Sequence, residues 1–186
     1  MLRKRFDACT VDRIDEENQS RWLLEPLCDR ASTLGGMSGA NVIRVVRLRK
    51  TPERNWGVPW HQDRVMPLRG RARPLESTTC YRKSGVAYFE PSVSYFARLR
   101  AAFVHLDPAN AENGCIELLE GTHQGKLTEA EIRVRTSVHP TVVCEAREGD
   151  VLLLHPLIVH RSRRAQFPAS RRILRIDIHT NSDLIA

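Results

Sequence analysis

Apolar and polar positions change rhythm once along this chain. Between Asp15 and Ala31, the apolar residues Trp22, Leu23, Leu27 and Cys28 recur at helical spacing in a polar background, which predicts one amphipathic helix, and Gly35-Gly36 ends it. From Asn41 onward the pattern is short and β-like. Val42 to Arg49 and Val58 to Val65 come first, separated by Pro52 and Gly57. Further strands are predicted at Ala97 to Leu106, Cys115 to Leu119, Thr141 to Glu145, Val151 to Leu154, Leu157 to His160 and Arg172 to His179. Met66 to Leu75 and Gly121 to His139 read as excursions between strands. One helix followed by about eight short strands with Gly and Pro punctuation predicts a mainly β protein: a jelly roll with a helical flank. The flank covers about residues 1–38 and the core about 41–180 of a single domain. Such a barrel encloses a pocket in which residues far apart in sequence can meet.

Composition narrows the picture only slightly. At 186 residues, the chain is long enough for one buried core. Lys and Arg number 29 against 22 acidic residues, a net charge of +7, so anionic partners or substrates are favoured. The basic residues are scattered, and aromatics make up 6%, so the basic stripe with interleaved aromatics expected of a nucleic-acid surface is missing. Cys9, Cys28, Cys80, Cys115 and Cys144 are odd in number and show no C-x-x-C spacing, which points to a reducing compartment. The N-terminus lacks the apolar stretch of a secretory signal. Val151 to Val159, the longest apolar run, is broken by His155 and Pro156 and falls short of the ~20 residues of a membrane span. A soluble cytoplasmic protein with no membrane or nucleic-acid partner is expected; its oligomeric state is left open.

The chemistry lies in three residues. On an extended strand, positions i and i+2 project to one face, so His61 and Asp63 can grip one ion while Gln62 points away. His160 ends a very apolar strand far downstream. Two histidines and one carboxylate leave half of an octahedron open, the arrangement that suits Fe(II) in enzymes that activate O₂. Two decoys compete. His105-Leu106-Asp107 repeats the spacing, but Pro108 and Asn110 follow it, so Asp107 is expected to open a loop and to cap or form an Asx-turn there. Pro156 makes the neighbourhood of His155 irregular, and alternation from His160 puts Ile158, not His155, on its face. Past His160 stand Arg161, Arg163, Arg164, Arg171 and Arg172, a cluster able to clamp a carboxylate through paired hydrogen bonds. Alternation places Arg171 with Ile173, Arg175, Asp177 and His179 on a face polar enough to line a wet cavity. This favours Arg171 over Arg172.

These blocks resemble the phytanoyl-CoA dioxygenase family of Fe(II)- and 2-oxoglutarate-dependent oxygenases. The likeness rests on Trp60-His61-Gln62-Asp63, on the run Glu112-Asn113-Gly114-Cys115-Ile116-Glu117 continuing to Gly121-Thr122-His123, and on Gly149-Asp150 leading to His160-Arg161-Ser162. It ends with Arg171, at the family's usual interval from the distal histidine. The resemblance implies a cupin-like double-stranded β-helix with flanking helices. It implies Fe(II) held by His61, Asp63 and His160, with O₂ and 2-oxoglutarate consumed, succinate and CO₂ released and a C–H bond of a small metabolite hydroxylated. By the same resemblance, Arg171 pairs with the distal carboxylate of 2-oxoglutarate, Ser162 hydrogen-bonds that carboxylate, and Arg47 helps hold the cosubstrate.

The chain departs from the family pattern in places. Glu120-Gly121-Thr122-His123 replaces the usual Pro-Gly-Ser-His, Arg161 stands where glycine usually follows the distal histidine, and Ala165 stands near where asparagine is common. Retention of Asp63 argues against halogenation, where that carboxylate is usually lost. Arg69, Arg71, Arg73 and Tyr81 are candidates for a substrate lid with an anionic preference. The rival interpretation is a non-catalytic, cupin-like metal or carboxylate binder.

Overall fold

Most of the β-branched runs, such as Val42 to Val46, Thr141 to Val143 and Ile173 to Ile178, form antiparallel strands. The computed structural model describes residues 13–14, 33, 41–68, 78–83, 86–167 and 169–179. Among them the strands are β1 (Arg13–Ile14), β2 (Asn41–Lys50), β3 (Val58–His61), β4 (Met66–Leu68), β5 (Thr78–Lys83), β6 (Val86–Glu90), β7 (Leu99–His105), β8 (Ile116–Leu119), β9 (Thr141–Cys144), β10 (Val151–Leu154), β11 (Val159–Ser162) and β12 (Arg171–His179). Two helices, α1 (Val93–Ala97) and α2 (Glu129–Val138), interrupt them. A five-stranded sheet runs β1-β2-β12-β7-β10 and a four-stranded sheet β3-β11-β8-β9, while β4-β6-β5 forms a small third sheet. This is the expected jelly roll. The helix expected over Asp15 to Ala31, and Arg69, Arg71 and Arg73, lie outside the described residues. No helix among those described is long and apolar enough to cross a membrane.

β12 is the axis of the large sheet, buried at all nine positions between β2 and β7. Its register pairs Arg171 with Lys50, Ile173 with Leu48, Arg175 with Val46 and Asp177 with Arg44. Directly paired residues share a face, so these side chains look into the barrel together with Ala101 and Phe103 of β7. There Ile173, Ala101, Phe103 and Leu154 meet Ile116 and Leu118 from the smaller sheet. The alternate residues Leu174, Ile176 and Ile178 pack with Val45, Ala102 and Val104 on the outer face. Full burial of an Ile or Leu contributes roughly 1.5–3 kcal/mol, so this two-sided packing makes β12 a rigid platform for its polar residues.

Several elements depart from the sequence expectation. The strand predicted from Val58 to Val65 ends at His61, because the Asp63 N–H leaves the ladder to donate to the Pro156 carbonyl, at 2.9 Å. The excursions carry structure of their own, β4 in the first and α2 in the second, and β5 and β6 form just past the first, where no strand is predicted. Polar α2 has no strong apolar stripe. It is held by a capping box between Thr128 and Glu131 and by Ile132, which packs with Leu119 and Val159 on the outside of the smaller sheet. The strand expected at Leu157 to His160 is shifted to Val159–Ser162, since Pro156 and Leu157 sit in a turn.

Asp107, just past the end of β7, forms a buried pair with Arg172 of β12. Asp107 accepts from the Arg172 backbone N–H at 2.8 Å and from Nε and Nη2 at 2.8 and 2.9 Å. Breaking such a pair leaves an uncompensated charge, at a cost of about 3–5 kcal/mol. Asp107→Ala is therefore expected to lower stability in urea denaturation by about that amount while leaving metal binding by the folded protein unchanged.

Candidate metal centre

Antiparallel pairing of β3 with β11 sets His61 directly opposite His160. Their rings lie 4.4 Å apart, centroid to centroid. Each ring is oriented by a backbone carbonyl two residues upstream: His61 Nδ1 by Pro59 O and His160 Nδ1 by Ile158 O, both at 2.9 Å. With the Nδ1 proton so engaged, the neutral imidazole presents Nε2 as its lone-pair donor. Asp63 follows just beyond the end of β3. Its Oδ1 is 3.6 Å from His61 Nε2 and its Oδ2 is 3.4 Å from His160 Nε2. One donor atom from each residue falls within a 4.8 Å cluster. Adjacent ligands at ~2.1 Å from one octahedral ion lie about 3 Å apart, so a small ion fits with little rearrangement.

Gln62 explains how Asp63 is delivered. The Gln62 side chain turns away from the histidines and is buried, donating to the carbonyls of Leu157 at 2.6 Å and Gly125 at 2.9 Å and accepting from the Leu127 N–H at 2.8 Å. These bonds staple the His61-Gln62-Asp63 segment to the turn that leads into β11. Thr122 reinforces the same joint: its hydroxyl donates to Leu119 O at 2.7 Å and accepts from the Val159 N–H at 2.9 Å. Gly121, at φ +73°, supplies the left-handed turn this requires. The Gly-Thr-His block thus keeps its turn despite its changed residues.

The electrostatics favour a cation. Burial alone would raise the Asp63 carboxyl, but the Arg175 charge and the two imidazoles hold it well below the usual carboxylate range. Burial opposes protonation of His61, yet the bond to Asp63 and its charge outweigh this and lift the imidazole above its ordinary value. A field that retains a proton there also retains a metal. His155 stands apart, its ring 5.2 Å from His123, and burial pulls it down to about 4.

A second polar cluster occupies the end of the barrel where β12 begins. Arg171 is buried at 3% exposure, and its Nε and Nη1 have no hydrogen-bond partner among the described residues. Its cross-strand partner Lys50, 1% exposed, donates to Ser162 Oγ at 2.9 Å, to Gly114 O at 3.3 Å and to Arg163 O. Ser162 in turn donates to Gly114 O at 2.8 Å. A Cβ on Gly114, at φ +74°, would come within 2.6 Å of Lys50 Nζ, so the ammonium reaches this pocket only past a glycine. Burial and then the Arg171 charge pull Lys50 down to about 8, and burial pulls Arg171 down to about 10. Two cations and two unpaired buried N–H donors form a seat for an anion.

The structure thus brings His61, Asp63 and His160 together and places Arg171 and Ser162 along the same barrel interior. Arg47 is elsewhere. It pairs with Leu174, on the face of the sheet opposite Arg171, because successive strand residues alternate. Sequence reasoning missed Lys50. Its partnership with Arg171 depends on the register between β2 and β12, which no local pattern encodes.

Comparison with known proteins follows the same lines. The family model for phytanoyl-CoA dioxygenase (PhyH) matches residues 4–173. No curated protein matches in sequence. Among solved structures, AviO1 from Streptomyces viridochromogenes Tue57 aligns at 22% identity with a TM-score of 0.60, over 90% of this chain and 64% of its own. Iron-bound HygX from Streptomyces hygroscopicus aligns at 18% identity with a TM-score of 0.64, over 97% of this chain and 76% of its own. The HygX complex with nickel and 2-oxoglutarate aligns at 20% identity with a TM-score of 0.63, over the same shares, and HygX is also known with hygromycin B bound. The chain thus spans about two thirds to three quarters of these structures' length. From the match of its family model over most of the sequence, the chain belongs to the phytanoyl-CoA dioxygenase family.

Proposed function

We propose that this protein is an Fe(II)- and 2-oxoglutarate-dependent oxygenase that hydroxylates a C–H bond of a small metabolite, releasing succinate and CO₂. The observation that carries the proposal is the pairing of two seats in one barrel: a His-Asp-His cluster and a buried arginine with two unpartnered donors. A cosubstrate with a metal-chelating 2-oxo acid at one end and a second carboxylate at the other satisfies both. HygX, with nickel and 2-oxoglutarate bound, and with hygromycin B as a further ligand, supports the cosubstrate and a small-molecule substrate by likeness.

His61 and His160 would hold the iron through Nε2 and Asp63 through one carboxylate oxygen. When bound, iron supplies oxidative chemistry with O₂ that no side chain here offers. Arg171 would receive the distal carboxylate on its free Nε and Nη1. Ser162, whose proton is committed to Gly114 O, would act chiefly by holding Lys50 beside that carboxylate. Ile173, Phe103, Leu118 and Ile116 add a buried apolar cluster to the same barrel interior. Arg47, on the other face, has no part in this arrangement.

Anaerobic titration of the Fe(II)-loaded protein with 2-oxoglutarate should produce the weak visible charge-transfer band of the chelate, and His160→Ala should lack it. Bound iron with no band would favour the non-catalytic binder. In the same titration, Arg171→Met should raise the 2-oxoglutarate requirement by about one to two orders of magnitude, matching ~1.5–3 kcal/mol for hydrogen bonds to a charged group. An unchanged requirement would remove Arg171 from the pocket. Affinity should also depend on pH through Lys50, which faces Arg171 and Cys115. Its amine is charged below about 8 and becomes neutral above it, so affinity measured with Ni(II) should fall as pH rises from 7 to 9. Lys50→Met should bind more weakly at pH 7 and lose this slope.

A further inference from the structure

The metal-facing carboxylate has a partner that the proposed function does not use. Arg175, on the interior face of β12, places Nη1 2.7 Å from Asp63 Oδ2 in an ion pair. Its Nε donates to Asp177 Oδ1 at 2.7 Å. The other Asp177 oxygen is gripped by Arg44, through Nε at 2.6 Å and Nη2 at 2.5 Å. The guanidinium also lies over the Phe103 ring, 5.3 Å from its centroid. Arg175 is therefore fixed on three sides: Asp177 at one edge, Phe103 against its plane and Asp63 at its tip. Its Nη2 is buried without a hydrogen-bond partner among the described residues.

We infer that Arg175 is a positioning residue that holds Asp63 to one-oxygen coordination by occupying Oδ2, leaving Oδ1 to the ion. The inference rests on the metal seat proposed above. A free carboxylate can grip a cation with both oxygens and fill an extra coordination position. A chelating 2-oxo acid needs two adjacent positions, and O₂ a third. With three protein ligands on six positions, no position is left to lose. Arg175 thus keeps the half-octahedron open, and the Arg44–Asp177 pair keeps Arg175 in place. The fork geometry of guanidinium suits this bracing between two carboxylates, which a point-charge ammonium cannot reproduce.

This role has a signature opposite to that of a merely structural ion pair. In Arg175→Met, the carboxylate is freed and a nearby cation removed, so Co(II) alone should bind at least as tightly as to the unaltered protein. Pyruvate, which chelates a metal but cannot reach Arg171 with a second carboxylate, should bind the Co(II) form at least tenfold more weakly. The visible Co(II) ligand-field spectrum should shift. Arg175→Lys retains the charge and most of the packing, so it tests the idea even if the methionine variant folds poorly. It should also shift the spectrum and weaken pyruvate, by less. Identical spectra and pyruvate affinities in both variants would overturn the assignment, as would loss of Co(II) in parallel with loss of thermal stability. Failure of the unaltered protein to take up Co(II) would instead overturn the metal seat on which the assignment rests.

Discussion

The cross-strand pairing of His61 with His160 governs the rest of this site. β3 and β11 are each four residues long, and their register brings two imidazoles from distant parts of the chain side by side. Because side chains alternate along a strand, a slip of one residue would send His160 to the outer face and bring Val159 or Arg161 inward. The register is held from both sides. β8 pairs with the other edge of β11, and Thr122 ties the start of β11 to the end of β8. Gln62 then binds the segment carrying Asp63 to the turn before β11, so the third ligand moves with the first two.

The parts of this arrangement that follow local rules were legible in the sequence. Strand periodicity gave most of the core elements, and alternation along β12 correctly grouped Arg171, Ile173, Arg175, Asp177 and His179 on the cavity face. Asp63 was grouped with His61 for a partly mistaken reason. It lies beyond the end of the strand, and a backbone bond to Pro156 O, not i, i+2 alternation alone, brings it to the histidines. The capping box at Thr128 and Glu131 was present in the sequence and would have located α2, but the helix lacks the apolar stripe that periodicity seeks. Lys50 and Arg47 illustrate the limit. Both are basic residues on β2, and only the pairing of β2 with β12 decides that Lys50 shares a face with Arg171 and Arg47 does not.

The barrel interior is unusually rich in ionised groups. Arg44, Arg175, Asp177 and Asp63 form one connected chain in which opposite charges alternate. At the other end, Lys50 and Arg171 meet no carboxylate of comparable burial among the described residues. Buried like charges without a counterion are costly, and carbonyls around Lys50 offset only part of that cost. The two ends thus have opposite needs: a cation between the imidazoles and Asp63, an anion beside Arg171. A metal chelated by a dicarboxylic 2-oxo acid meets both.

The most direct measurement is a crystal structure of the protein with Ni(II) and 2-oxoglutarate under anaerobic conditions. The expected result is one ion on His61 Nε2, His160 Nε2 and a single Asp63 oxygen, with the cosubstrate's distal carboxylate against Arg171. An ion held elsewhere, or a cosubstrate whose distal carboxylate avoids Arg171, would contradict it.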